Sequence, residues 1–136
     1  MIGPASVPDR VLLVDDDEGL LKTYRRCLRR SLEVETALGP HQALSMLECE
    51  NYPVVVSDLN MPGLDGMALL ARVQARWPDT IAIMLTGQGD LDLAETAVRD
   101  GRLFRVLTKP HPMQALVEAV TDALECHRQR KHGCGG

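Results

Sequence analysis

The stretch Val54-Val55-Val56-Ser57-Asp58-Leu59-Asn60-Met61-Pro62-Gly63-Leu64-Asp65-Gly66 changes character twice. A short run of branched apolar residues ends on an acid, turn-forming Pro and Gly follow, and from Met67 the apolar residues return at helical spacing as Leu70, Val73 and Trp77. A β-branched run this short, bounded by turn signals, reads as a strand buried on both faces, and the spacing after it as an amphipathic helix. The unit is strand, turn, helix.

The same unit recurs on either side. Arg10–Val14 ends in Asp15-Asp16-Asp17, Ile81–Leu85 in Thr86-Gly87, Leu103–Leu107 in Thr108-Lys109-Pro110, and a weaker run covers Glu33–Thr36. Helical spacing follows each: Leu20, Tyr24, Leu28; Ala43, Leu44, Leu47; Leu91, Ala94, Val98; and Met113, Leu116, Val117, Val120, Leu124, the last opened by Pro112 at a first-turn position. Five βα units with right-handed crossovers make a parallel sheet with helices on both faces, a doubly wound α/β sandwich.

Composition sets the outer bounds. The 136 residues suit one domain with its own core, and 45% hydrophobic with 25% charged residues is ordinary for a folded, water-soluble chain. The net charge of −4 gives no global attraction for nucleic acid or an anionic membrane, so protein partners are expected. Arg128, Arg130 and Lys131 read as a solvated helix terminus. No apolar run approaches the roughly 20 residues that cross a bilayer, and no export signal opens the chain, which points to the cytoplasm. Cys27, Cys49, Cys126 and Cys134 lie far apart without a C-x-x-C pair, and read as reduced thiols, two or three of them filling the core.

In an open parallel sheet, ligands bind beyond the carboxyl ends of the strands, where the strand order reverses. The polar residues of interest collect there: Asp15, Asp16 and Asp17 after the first strand, Asp58 after the third, Thr86 after the fourth and Lys109 after the fifth. Carboxylates gathered in one crevice repel each other and call for a cation, and hard oxygen ligands favour Mg2+. With few protein ligands such an ion keeps waters and has room for a phosphoryl oxygen, leaving Lys109 and the Thr86 hydroxyl for the others.

Taken together, Val14-Asp15-Asp16, the run Asp58–Gly66, Leu85-Thr86-Gly87 and Leu107-Thr108-Lys109-Pro110 resemble the receiver domains of two-component response regulators. Each motif alone is weak; four in order at strand ends are specific, and the D-x-N-M-P-x-x-D-G stretch most so. The resemblance covers about residues 9–127, leaving 1–8 as an N-terminal tail and 128–136 as a C-terminal tail or the start of a linker to an output domain.

That resemblance implies a flavodoxin-like, five-stranded parallel sheet of order 2-1-3-4-5 flanked by five helices. It makes Asp58 the nucleophile that takes a phosphoryl group from the phosphohistidine of a histidine kinase or phosphotransfer protein. Asp16 binds Mg2+ directly, Asp15 assists, and the Asp58 carboxylate with the Asn60 backbone carbonyl completes the protein ligands. Lys109 pairs with the phosphoryl oxygens, and Thr86 moves inward to one of them, so that the loop after the fourth strand follows. Gly87 leaves the phosphoryl group room, the Lys109–Pro110 bond is cis, and Pro62 and Gly66 shape the loop and helix start after the acceptor. Asn60 and Gln88 occupy positions that tune phosphoryl lifetime. The implied protein is a signalling switch rather than an enzyme, its further partners an attached output domain or a second copy, with no nucleic acid and no membrane.

The sequence also departs from the pattern. Receivers commonly carry Tyr or Phe three residues before the site lysine, where this chain has Val106, and on simple alternation Phe104 shares its face. The output face then responds through Thr86 and loop packing, or through Phe104. The segment Gly101–Arg105 resembles that of receivers attached to other modules, including HD-type phosphodiesterases.

Simpler roles compete at several positions. Asp17 reads as a helix N-cap, Asp65 as a cap rather than a ligand, Trp77 and the methionines as packing, and His41 and His111 as surface or cap-adjacent. Two other functions share the fold. A haloacid-dehalogenase-type phosphohydrolase uses an Asp-x-Asp pair like Asp15 and Asp17, but its signature wants Thr or Val where Gly19 stands. A flavodoxin-like binding module leaves Asp58, Thr86 and Lys109 without a purpose.

Overall fold

The computed structural model of the chain describes residues 10–59, 61 and 65–133. Strands β1 (Arg10–Asp15), β2 (Glu33–Leu38), β3 (Val54–Asp58), β4 (Ile81–Thr86) and β5 (Arg105–Thr108) alternate with helices α1 (Glu18–Leu28), α2 (Pro40–Cys49), α3 (Gly66–Arg76), α4 (Leu91–Arg99) and α5 (Met113–Gly133). The strands form one parallel sheet in the order β2-β1-β3-β4-β5. This is the doubly wound, flavodoxin-like architecture expected from the sequence, with its topological switch point between β1 and β3.

Alternation along the strands supplies two buried faces. Val11, Leu13, Val54, Val56, Ile81 and Ile83 pack under α1 and α5, against Leu21, Tyr24, Leu28, Leu116 and Val120. Leu12, Val14 and Val55 meet Ala43, Leu47, Leu69 and Val73 of α2 and α3, and Met84 meets Ala94 and Ala97 of α4. Burial on both sides is why β1, β3 and β4 read as unbroken apolar runs.

Helix starts follow from local chemistry. Asp17 caps α1 by accepting from the Leu20 N–H, and Asp65 caps α3 by accepting from the Ala68 N–H at 2.8 Å, as expected of both. Gly66 answers a close approach: a Cβ there would lie 2.6 Å from the Asp58 carbonyl oxygen and 2.7 Å from the Leu59 Cα, backbone atoms that cannot swing aside. The α3 N-terminus is thereby held against the end of β3.

The fifth strand begins later than its sequence suggests, at Arg105 rather than Leu103. After α4 the chain turns at Gly101 with φ +78°, and the Arg102 and Leu103 N–H groups both donate back to the Ala97 carbonyl, so Leu103 closes the helix instead of opening the strand. Phe104 consequently lies outside the regular alternation. It packs partly against the core under α1 and α5, whereas Val106 packs partly against the α4 side, so the two do not follow simple alternation although both border one groove beside α4.

The cysteine reading also needs correction. Cys27 and Cys49 are exposed, and only Cys126 is half-buried, packed against the core; Cys134 lies outside the described residues. Cys27 falls on the flank of α1 beside its buried stripe, and Cys49 on the side of α2 opposite the stripe that helix buries. Met61, Met84 and Trp77 pack as expected. Helix α5 continues through Arg128 and Arg130 to Gly133, so the expected boundary at 127 and 128 falls inside a helix. The expected N-terminal tail and the last three residues lie outside the described residues. Among those described, no helix is long and apolar enough to cross a membrane.

Candidate functional site

Parallel strands in close register end at one level, and four of these ends carry the polar residues singled out above. Asp15 is the last residue of β1, Asp58 of β3 and Thr86 of β4, while Lys109 follows β5 directly. Asp15, Asp16 and Asp58 each present a carboxylate oxygen, all within 4.8 Å of one another. Asp15 is 2% and Asp58 8% exposed, whereas Asp16 stands open to solvent at the rim. The Lys109 Nζ is 3.2 Å from Asp58 Oδ2. The acids and the lysine are therefore brought together as the sequence implied.

The electrostatics of the cluster are unfavourable without a cation. Asp15 Oδ1 accepts the Asp17 N–H at 3.0 Å, but its Oδ2 is buried with no hydrogen-bond partner among the described residues. Burial above all, joined by the charge of Asp58 and by side-chain sharing of a proton with the neighbouring Asp16, lifts the Asp15 carboxyl from its ordinary 3.8 to about 6, against the pull of the Asp17 N–H and Lys109. A buried, unpartnered carboxylate oxygen beside two further carboxylates is a donor set suited to a small hard cation. The site fits the ion that the resemblance implies.

Thr86 is fully buried, and its hydroxyl donates to the Gly87 carbonyl at 3.1 Å. A Cβ added to Gly87 would meet nothing within 4 Å, so the space expected there is present. The Lys109–Pro110 peptide is cis, and the Lys109 N–H donates to the Thr86 carbonyl at 2.7 Å. Asn60, Pro62 and the side chain of Gln88 lie outside what the structure describes, so the carbonyl ligand and the side chains at both lifetime positions do too. Beside Val106, where receivers carry an aromatic ring, a groove of about 440 Å³ opens between Val98, Phe104 and Arg105.

Against this geometry the comparisons are decisive. The family model for the response regulator receiver domain matches residues 11–121. The chain belongs to the response-regulator receiver domains. This receiver is 41% identical over 127 residues to the C4-dicarboxylate transport transcriptional regulatory protein DctD of Pseudomonas aeruginosa, covering 92% of the chain and 27% of that protein. To the DNA-binding transcriptional regulator NtrC of Salmonella typhimurium it is 32% identical, over 89% of the chain and 26% of the relative. Among solved structures it resembles the signal receiver domain of an HD domain-containing protein from Pseudomonas fluorescens, with TM-score 0.82 and 34% identity over 90% of this chain and 99% of that one. The receiver thus spans about a quarter of the length of the curated relatives it matches. It is a phosphoacceptor switch of two-component signalling, of the kind that regulates an output domain.

One pair of residues near the site escaped the sequence reading. Tyr24 was legible only as a core position of α1 and His111 as a surface residue, yet the Tyr24 hydroxyl lies 3.5 Å from His111 Nε2 and the rings stack. Burial first, then the charges of Asp15 and Asp58, hold the Tyr24 phenol above its ordinary range. No local motif signals the contact, because the residues are 87 positions apart.

Proposed function

We propose that Asp58 is the phosphoacceptor of this receiver, with Asp15, Asp16, Asp58 and the Asn60 backbone carbonyl as the protein ligands of Mg2+, and Lys109 and Thr86 as the groups that engage the phosphoryl oxygens. The observation that carries the reading is the placement of Asp58, flanked by two carboxylates on one side and the Lys109 ammonium at 3.2 Å on the other. Held by those ligands, Mg2+ would supply positive charge against the transferring phosphoryl group.

The remaining steps belong to the chain's own residues. An Asp58 carboxylate oxygen attacks phosphorus as the phosphorus–nitrogen bond of the donor phosphohistidine breaks, and the leaving imidazole keeps the bonding electrons and takes a proton. Lys109 holds a fixed positive charge where oxygens of the in-flight group gather, which favours the transition state over the separated partners. The Thr86 hydroxyl, now turned to the Gly87 carbonyl, gives up that bond for a phosphoryl oxygen, and the loop ahead of α4 follows. Because position 106 is valine, the change passes to the α4 and β5 face through this loop rather than through a rotating ring.

The receiver proper, residues 9–127, works in the cytoplasm without turnover of an external substrate, and its partners are a histidine kinase or phosphotransfer protein together with an output domain or a second copy. DctD and NtrC are transcriptional regulators by name, and NtrC a DNA-binding one, so the expectation of no nucleic-acid partner does not extend to an output domain attached to this receiver. The phosphohydrolase alternative is disfavoured because Asp17 caps α1 and Lys109 pairs with Asp58. Intact-mass spectrometry after incubation with acetyl phosphate and Mg2+ tests the reading. One labile phosphoryl group on the wild type, absent from Asp58→Asn and absent with chelator, is expected; a gain that survives Asp58→Asn would overturn it.

A further inference from the structure

Tyr24 lies on α1 with its ring in the core that α1 and α5 share with the sheet. Its hydroxyl reaches His111 Nε2 at 3.5 Å, and the two rings stack with centroids 6.1 Å apart and planes 20° from parallel. His111 stands two positions after Lys109, in the connection from β5 to α5. Its Nδ1 is 3.3 Å from the Pro112 carbonyl oxygen. A carbonyl can only accept, so Nδ1 carries the proton, and in a neutral imidazole Nε2 is then the acceptor of the Tyr24 O–H. The connection is consequently pinned twice. The Lys109 N–H is bonded to the Thr86 carbonyl at the end of β4, and His111 is in hydrogen-bond contact with Tyr24 of α1. Lys109 projects from the backbone between these anchors.

We propose that Tyr24 and His111 form a brace that positions Lys109 for the phosphoryl group. The proposal rests on Asp58 being the acceptor. A lysine side chain has four rotatable carbons and little intrinsic direction, and that of Lys109 is about one-third exposed, so packing alone aims it only in part. Its ammonium is delivered by fixing the backbone at its root. Helix α1 suits that purpose because its N-cap, Asp17, directly follows Asp15 and Asp16. The helix that sets two of the acids then also sets the lysine's connection, and the distance across the crevice is governed by one rigid element. Tyr24 and His111 are positioning residues in this scheme and touch no reacting atom.

Tyr24→Phe keeps the ring and its stacking and removes only the hydroxyl. With the whole chain at saturating acetyl phosphate and Mg2+, it is expected to lower the phosphorylation rate by about threefold to tenfold, with Mg2+ affinity by calorimetry unchanged. The decisive arm is a double-mutant cycle: in a Lys109→Met background the same substitution is expected to have no further effect. Because that background is slow, the cycle is repeated on the equilibrium affinity for beryllofluoride, a phosphoryl mimic, titrated until the Lys109→Met protein saturates. A loss of equal size with and without Lys109, a loss explained by weaker Mg2+ binding, or no loss at all would each overturn the brace. Failure of the wild type to gain a phosphoryl group or bind beryllofluoride would instead remove the acceptor reading, and the brace with it.

Discussion

Replacing Asp15 by Asn is expected to make the metal-free protein more stable while removing its function. Asn keeps an oxygen for the Asp17 N–H, has nearly the same shape, and offers two N–H donors to the neighbouring carboxylates in place of a like charge. The magnitude follows from the carboxyl being lifted from 3.8 to about 6. At about 1.4 kcal/mol per tenfold change in proton affinity, ionising Asp15 within the fold costs up to about 3 kcal/mol above pH 6, and relaxation around the site reduces this toward 1 kcal/mol. Urea denaturation at pH 7.5 with chelator is expected to show the variant more stable by about 1–3 kcal/mol with an unchanged dependence on urea. The pH profile carries the sign. The folded state binds Asp15's proton more tightly than the unfolded state, so between about pH 4 and 6 the wild type loses stability relative to Asp15→Asn as pH rises, and the difference stays constant above that window. Mg2+ is expected to stabilise the wild type in proportion to its affinity and the variant much less. A variant no more stable than wild type at pH 7.5, with a parallel pH profile, would refute the electrostatic reasoning.

Other expectations are as direct. Lys109→Ala should slow phosphorylation by acetyl phosphate about 10²-fold, as loss of one preorganised charge at a transition state does, while Mg2+ binding measured by calorimetry persists. Gly66→Ala should cost about 1–3 kcal/mol in a denaturation series, since its methyl meets the backbone of Asp58 and Leu59. With beryllofluoride and Mg2+, backbone amide shifts should change at Thr86, Gly87 and the start of α4. An unmoved α4 and β5 would argue against transmission through the Thr86 loop.

The fold was legible because β1, β3 and β4 bury both faces, so Val54–Val56 and Ile81–Leu85 stand out against the helical spacing of Leu20, Tyr24 and Leu28. The acidic cluster was legible for a related reason: parallel strands end together, and acids at those ends must meet. What escaped depended on long-range or conformational detail. Leu103 is apolar enough for a strand, but the turn at Gly101 returns its N–H to the end of α4. The exposure of Cys27 and Cys49 is a matter of helix phase, and neither residue's chemistry announces it. The Tyr24–His111 contact depends on where α1 meets the β5–α5 connection, a relation that no spacing in the chain encodes.

The most direct test of the central claim is chemical trapping of the acyl phosphate. The protein is phosphorylated with acetyl phosphate and Mg2+, reduced with borohydride, and its peptides are sequenced by mass spectrometry. Homoserine at position 58 alone is the predicted result; homoserine at position 15 or 16 with Asp58 intact would contradict it.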